Sequence, residues 1–184
     1  MADKQQNRLY KSENGIGLKN AGDFVTVAEC QKYVNKVLNS KAVLDMFSSK
    51  ELHHGALVIT VKDGRGYRRA VATTDGRGGL VIQLPQWARS KYVILHELAH
   101  HLEKSYSVNN WREAVRIGQT DPVTYQSHGA RFTATLLFLV KRELGKETHD
   151  RLATRLWENQ CKTLEGGRVV SVSLPRKRAE QQSA

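Results

Sequence analysis

The stretch Val93-Ile94-Leu95-His96-Glu97-Leu98-Ala99-His100-His101-Leu102 decides how this chain is read. Its apolar residues recur at helical spacing rather than in strict alternation. Successive residues of a helix turn by about 100°, which puts Ile94, Leu95, Leu98 and Leu102 on one arc. His96 and His100 fall nearly opposite that arc, one turn apart. The stretch therefore predicts a helix with one side in a core and two imidazoles facing a cleft.

Two histidines four apart on a helix can grip one ion together, and Glu97 comes to lie beside the pair. From there Glu97 reaches a metal-held water without ligating the metal, which is the general-base position of HExxH hydrolases. A catalytic zinc takes three protein ligands and keeps a fourth position for water. Immediate continuation as HExxHxxGxxH fails, because Glu103 stands where the glycine belongs. The expected third ligand is His128, in Ser127-His128-Gly129-Ala130-Arg131-Phe132. Ser127 reads as an N-cap, with His128 in the first turn of a helix running to about Leu144. Phe132, Leu136, Leu139 and Val140 then form an apolar stripe that docks this helix on the core. Glu113, between Arg112 and Arg116, is the rival ligand. Tyr125 and His101 are the candidate oxyanion stabilisers. His53, His54 and His149 read as exposed polar residues.

Working outward, residues 1–23 are polar and read as a loose lead-in. Thr26-Val27-Ala28-Glu29 has the form of a capping box, so a helix is expected from there to about Asn39. Ala42–Phe47 reads as a second short helix. Ala56–Val61 and Tyr67–Thr74 read as strands joined in a hairpin through Asp63-Gly64-Arg65-Gly66. After a turn at Gly76–Gly79, a third strand is expected at Leu80–Leu84, closed by Pro85. Ser105–Ser127 is expected to be a long connection with at most one helical turn around Trp111–Ile117. A last helix is expected over Asp150–Leu164, ended by Gly166-Gly167, with Gly145 at the C′ position of the helix before it. Val169–Leu174 alternates weakly as a terminal strand. Residues 24–174 thus form one domain, and 175–184 a basic, disordered tail.

The chain has 184 residues, of which 40% are hydrophobic and 26% charged, a globular rather than a disordered composition. No apolar run approaches the roughly 20 residues of a membrane span, and no signal-like apolar segment opens the chain. Only Cys30 and Cys161 occur, far apart, which reads as two buried thiols in a reducing, cytoplasmic setting. The 29 Lys and Arg against 18 Asp and Glu give +11, so nucleic acid is a candidate partner beside a protein or peptide substrate. The charge is spread along the chain without an RRM, KH or C₂H₂ signature, so it selects no partner by itself.

His96-Glu97-Leu98-Ala99-His100-His101 followed by His128-Gly129-Ala130-Arg131-Phe132 resembles the SprT-like zincins, with HExxH followed by HGxxF on the next helix. It is also similar to a group of small bacterial and phage metallohydrolases. The resemblance covers about Leu80–Leu144. It implies Zn(2+) on His96, His100 and His128, with Glu97 as catalytic acid and base. It also implies an α+β, zincin-like fold, in which a small, mostly antiparallel sheet packs with an N-terminal helix, the HExxH helix and two further helices. Leu80–Leu84 would edge the cleft and pair with an extended substrate. The link from His100 to His128 is longer than is common in SprT-like proteins, and no Cys-rich zinc ribbon follows, so action on DNA-bound proteins is not carried over. The expected function is zinc-dependent peptide hydrolysis. The alternatives are hydrolysis of a non-peptide amide, or nucleic-acid binding with a vestigial zinc site.

Overall fold

The architecture is α+β, in a computed structural model that describes residues 4–19, 21–47, 57–116, 128–166 and 168–175, the side chains of 104–116 excepted. Helix α2 (Val27–Leu38) starts where the capping box places it. Thr26 Oγ1 accepts from Glu29 N at 3.2 Å, and Glu29 Oε2 accepts from Thr26 N at 2.8 Å. Its buried residues are Cys30, Tyr33, Val34, Val37 and Leu38, the i, i+3, i+4, i+7, i+8 pattern of a single apolar face. A short α3 (Lys41–Met46) follows, with Ser40 as its N-cap.

Strands β1 (Ile59–Asp63), β2 (Val71–Thr74) and β3 (Leu80–Leu84) form one sheet in the order β1-β3-β2. β1 runs parallel to β3, and β2 antiparallel to it. The expected β1–β2 hairpin and mostly antiparallel sheet are therefore corrected to a mixed sheet. The physical reason lies in β3, whose Leu-Val-Ile-Gln-Leu run is covered on both faces and takes the central place. Gly64 then packs against the end of β3. A Cβ there would lie 2.6 Å from the Pro85 nitrogen, so this close approach requires glycine. The tight turn comes next instead, where Asp75 Oδ1 accepts from the Arg77 and Gly79 amides at 2.9 and 2.7 Å. On the far side of the sheet, Gln31 of α2 covers the β1 edge. Its amide donates to Ile59 O at 2.9 Å and accepts from Val61 N at 2.7 Å.

Helix α4 (Lys91–Arg116) packs against α2, β2, β3 and α5. Ile94, Leu95, Leu98 and Leu102 are fully buried, as their arc requires. The helix continues well past the point where a loop was expected, because no Gly or Pro interrupts the chain before Gly118. Helix α5 (Ala130–Glu143) buries Phe132, Leu136, Leu139 and Val140 completely. Its N-cap is Gly129, so His128 precedes the helix rather than sitting in its first turn, and Ser127 lies outside the described residues. At Gly145 the backbone enters the left-handed region (φ 85°), the C′ conformation expected of it, and α6 (Gly145–Glu158) begins there.

The last helix, expected over Asp150–Leu164, instead both starts and ends earlier, over Gly145–Glu158. Asn159 caps it, Gln160 takes a positive φ of 56°, and a hairpin of β4 (Lys162–Glu165) and β5 (Arg168–Ser171) follows. Gly166 serves the hairpin turn and does not end a helix; Gly167 is outside the described residues. Cys30 and Cys161 are buried, free thiols.

The largest departure is at the front. Residues 4–14, read as part of a loose lead-in, form helix α1 (Lys4–Asn14), with Leu9, Ser12 and Glu13 buried. Polar bonds to distant backbone hold it. Gln5 donates to Lys162 O at 2.9 Å and accepts from Lys162 N at 3.1 Å, while Ser12 Oγ donates to Arg155 O at 3.0 Å. Among the described residues no helix is long and apolar enough to cross a membrane.

Candidate metal centre

His96 and His100 project from α4, and His128 from the residue pair that leads into α5. One nitrogen from each ring lies within 4.8 Å of the others, close enough to bind a single metal ion. His96 and His128 are buried and His100 half-buried. The cluster rests on Phe132, whose ring centroid is 5.0, 4.4 and 5.0 Å from those of His96, His100 and His128. The apolar stripe of α5 and the helical spacing of α4 thus bring the three imidazoles together from two separate segments.

Helix α1 supplies the next layer. Glu13 Oε1 is 2.6 Å from His96 Nδ1 and accepts from the Tyr92 hydroxyl at 2.8 Å, and Lys19 Nζ is 3.1 Å from Oε2. Burial by itself would push the Glu13 carboxyl up, but His96, Lys19 and Tyr92 together hold it down at about 2. Burial likewise disfavours a charged His96, and the Glu13 carboxylate prevails and raises it. With Nδ1 engaged by Glu13, Nε2 is the His96 nitrogen left to hold an ion. This is the carboxylate–histidine arrangement that fixes tautomer and ring orientation in metal sites. Three nitrogen donors with such support fit a borderline-soft ion such as zinc.

Glu97 is buried beside the cluster, and burial raises its carboxyl above the ordinary range. The His96 charge and the backbone N–H of Ala72 in β2 oppose that rise without cancelling it. Tyr10, also on α1, places its hydroxyl 3.2 Å from His128 Nε2 and stacks over His96. A cleft of about 420 Å³ opens on this group, lined among others by Gln6, Tyr10, Lys19, Arg69, Trp87 and Glu97. It continues past His100 and His128 along Val71, Ala72 and Thr73 of β2. Both its carboxylates, Glu13 and Glu97, are buried, while Arg69 and Trp87 at its mouth are exposed.

His96, Glu97, His100 and His128 come together as expected. His101 is buried with Nε2 3.0 Å from the Val81 carbonyl, so its ring is tied to β3 while one side borders the cleft. Tyr125, His53 and His54 lie outside the described residues, as does the side chain of Glu113. His149 pairs with Asp150 on α6 at 2.9 Å. Leu80–Leu84 is corrected from cleft edge to central strand, because β2 covers its cleft side. Sequence reasoning missed Glu13 and Tyr10. Their i, i+3 spacing put them on one helix face, but nothing nearby in sequence marked that face as buried. No family model, curated protein or solved structure matches this chain.

Proposed function

We propose that this protein is a zinc-dependent hydrolase of the metallopeptidase type, with a zincin-like fold and SprT-like kinship. The observation that carries the reading is the convergence of His96, His100 and His128 on one point with a buried Glu97 beside them. His96, His100 and His128 would hold the zinc ion, which would supply Lewis acidity for polarising a carbonyl and activating water.

The chain's own groups do the rest. Glu97 takes the proton of the attacking water and returns it to the leaving amine. Glu13 orients His96. β2 is the sheet edge beside the cleft, and Gln31 already covers the opposite edge at β1. An extended peptide added along β2 would therefore lie next to Glu97, to which Ala72 donates its N–H.

The test is hydrolysis of casein and of quenched fluorescent peptides by the zinc-loaded protein and by Glu97→Gln. The amide keeps the shape of the carboxylate but cannot take the proton, so turnover should fall about 10²–10⁴-fold with zinc content unchanged. Wild-type turnover in zinc-loaded Glu97→Gln would overturn the reading.

A further inference from the structure

We propose that Tyr10 is a catalytic residue of this centre, donating a hydrogen bond to the carbonyl oxygen that becomes negative when the scissile amide is attacked. The proposal rests on the hydrolase reading above. It replaces Tyr125 and His101, the two groups that sequence suggested for this role.

Position comes first. The Tyr10 hydroxyl is 3.2 Å from His128 Nε2, and its ring centroid is 5.0 Å from that of His128 and 6.0 Å from that of His96. The phenol therefore stands at the imidazole cluster itself and not on the rim of the cleft. Tyr10 and Glu97 line both parts of the cleft, so a group seated at the centre has the base and the phenol within the same space. Tyr92, the other phenol of this region among the described residues, already gives its proton to Glu13 at 2.8 Å.

The chemistry follows from the hydrogen bonds. Gln6 Nε2 donates to the Tyr10 oxygen at 3.4 Å, one helical turn away, which occupies an acceptor position and leaves the O–H to point onward. A phenol keeps its proton at neutral pH, so Tyr10 has one to share. An imidazole nitrogen that gives its lone pair to a metal no longer accepts from Tyr10, and the hydroxyl is then free to turn to a substrate oxygen. The proton stays on Tyr10 throughout. The C–N bond breaks and the amine is protonated through Glu97, while the phenol only stabilises the developing charge. In the competing arrangement His128 presents Nδ1 to the metal, and Tyr10 merely holds its Nε2–H. Tyr10 would then be a positioning residue, and zinc affinity distinguishes the two.

Tyr10→Phe keeps the ring packing and removes only the hydroxyl. The expected result is a zinc Kd within about twofold of wild type, KM little changed, and kcat lower by about 10²-fold, the usual loss for one oxyanion donor. A phosphinic peptide, which mimics the tetrahedral geometry, should bind more weakly by a similar factor, whereas a product peptide should bind as before. Unchanged kcat and phosphinic-peptide affinity in an active enzyme would overturn the proposal. So would zinc affinity weakened about tenfold or more, since that is the mark of support for His128. A wild-type protein that binds zinc yet hydrolyses no amide would instead sink the hydrolase reading, and this proposal with it.

Discussion

Glu13 Oε1 lies 2.6 Å from His96 Nδ1, across 83 residues of sequence, and the carboxylate has no exposed surface. A buried carboxylate is costly unless it is bonded, and Glu13 is bonded to an imidazole and a phenol with an ammonium alongside. The N-terminal helix is thereby joined to the three-histidine cluster.

The first consequence is for metal affinity. Glu13→Ala should weaken zinc binding about 10–100-fold, the usual loss when the partner of a ligating histidine is removed. Glu13→Gln, whose amide oxygen can still accept from Nδ1–H, should lose less. Competition with a chromophoric chelator measures both, and wild-type affinity in Glu13→Ala would remove the helix from the centre.

Phe132 links the site to the core, since its ring touches all three imidazoles and is itself fully buried. Phe132→Ala should cost about 3–5 kcal/mol in urea unfolding and should also loosen the ligand set. A loss below about 1 kcal/mol would mean that the ring is not the platform described.

The capping box makes a prediction about pH. Hydrogen bonds from the Thr26 backbone and side chain hold the Glu29 carboxyl below its ordinary value of 4.5. Its folded form thus binds a proton less readily than its unfolded form. The contribution is complete above the ordinary value and is lost as pH falls through the lower, folded one. Urea midpoints of wild type and Glu29→Gln should therefore converge as pH is lowered from 6 to 3. A gap that widens in acid would reverse the sign.

What could be read from sequence was what is local. The arc of Ile94, Leu95, Leu98 and Leu102, the Thr26–Glu29 cap and the Phe132–Val140 stripe each declare themselves within two or three turns, and each is found where expected. β3 was placed residue for residue, but its neighbours were not, because alternation marks a strand without saying which strand is central. α1 was missed for a related reason. It carries one fully buried apolar residue, Leu9, and is otherwise held by Gln5, Ser12 and Glu13 bonded to groups far along the chain. Apolar periodicity has no way to register such contacts. The end of α6 at Asn159-Gln160 was missed because Gln carries no strong signal for the left-handed backbone it adopts.

Zinc affinity across His96→Ala, His100→Ala, His128→Ala and Glu113→Ala, measured by chelator competition, tests the proposed centre most directly. Wild type should bind zinc at one-to-one stoichiometry. Each histidine variant should lose more than about 100-fold in affinity, beyond the range for losing only a supporting hydrogen bond. Glu113→Ala should stay within about twofold of wild type, since only the three imidazoles are expected to hold the ion. Zinc retained at wild-type affinity in His128→Ala, and lost in Glu113→Ala, would contradict the three-histidine centre.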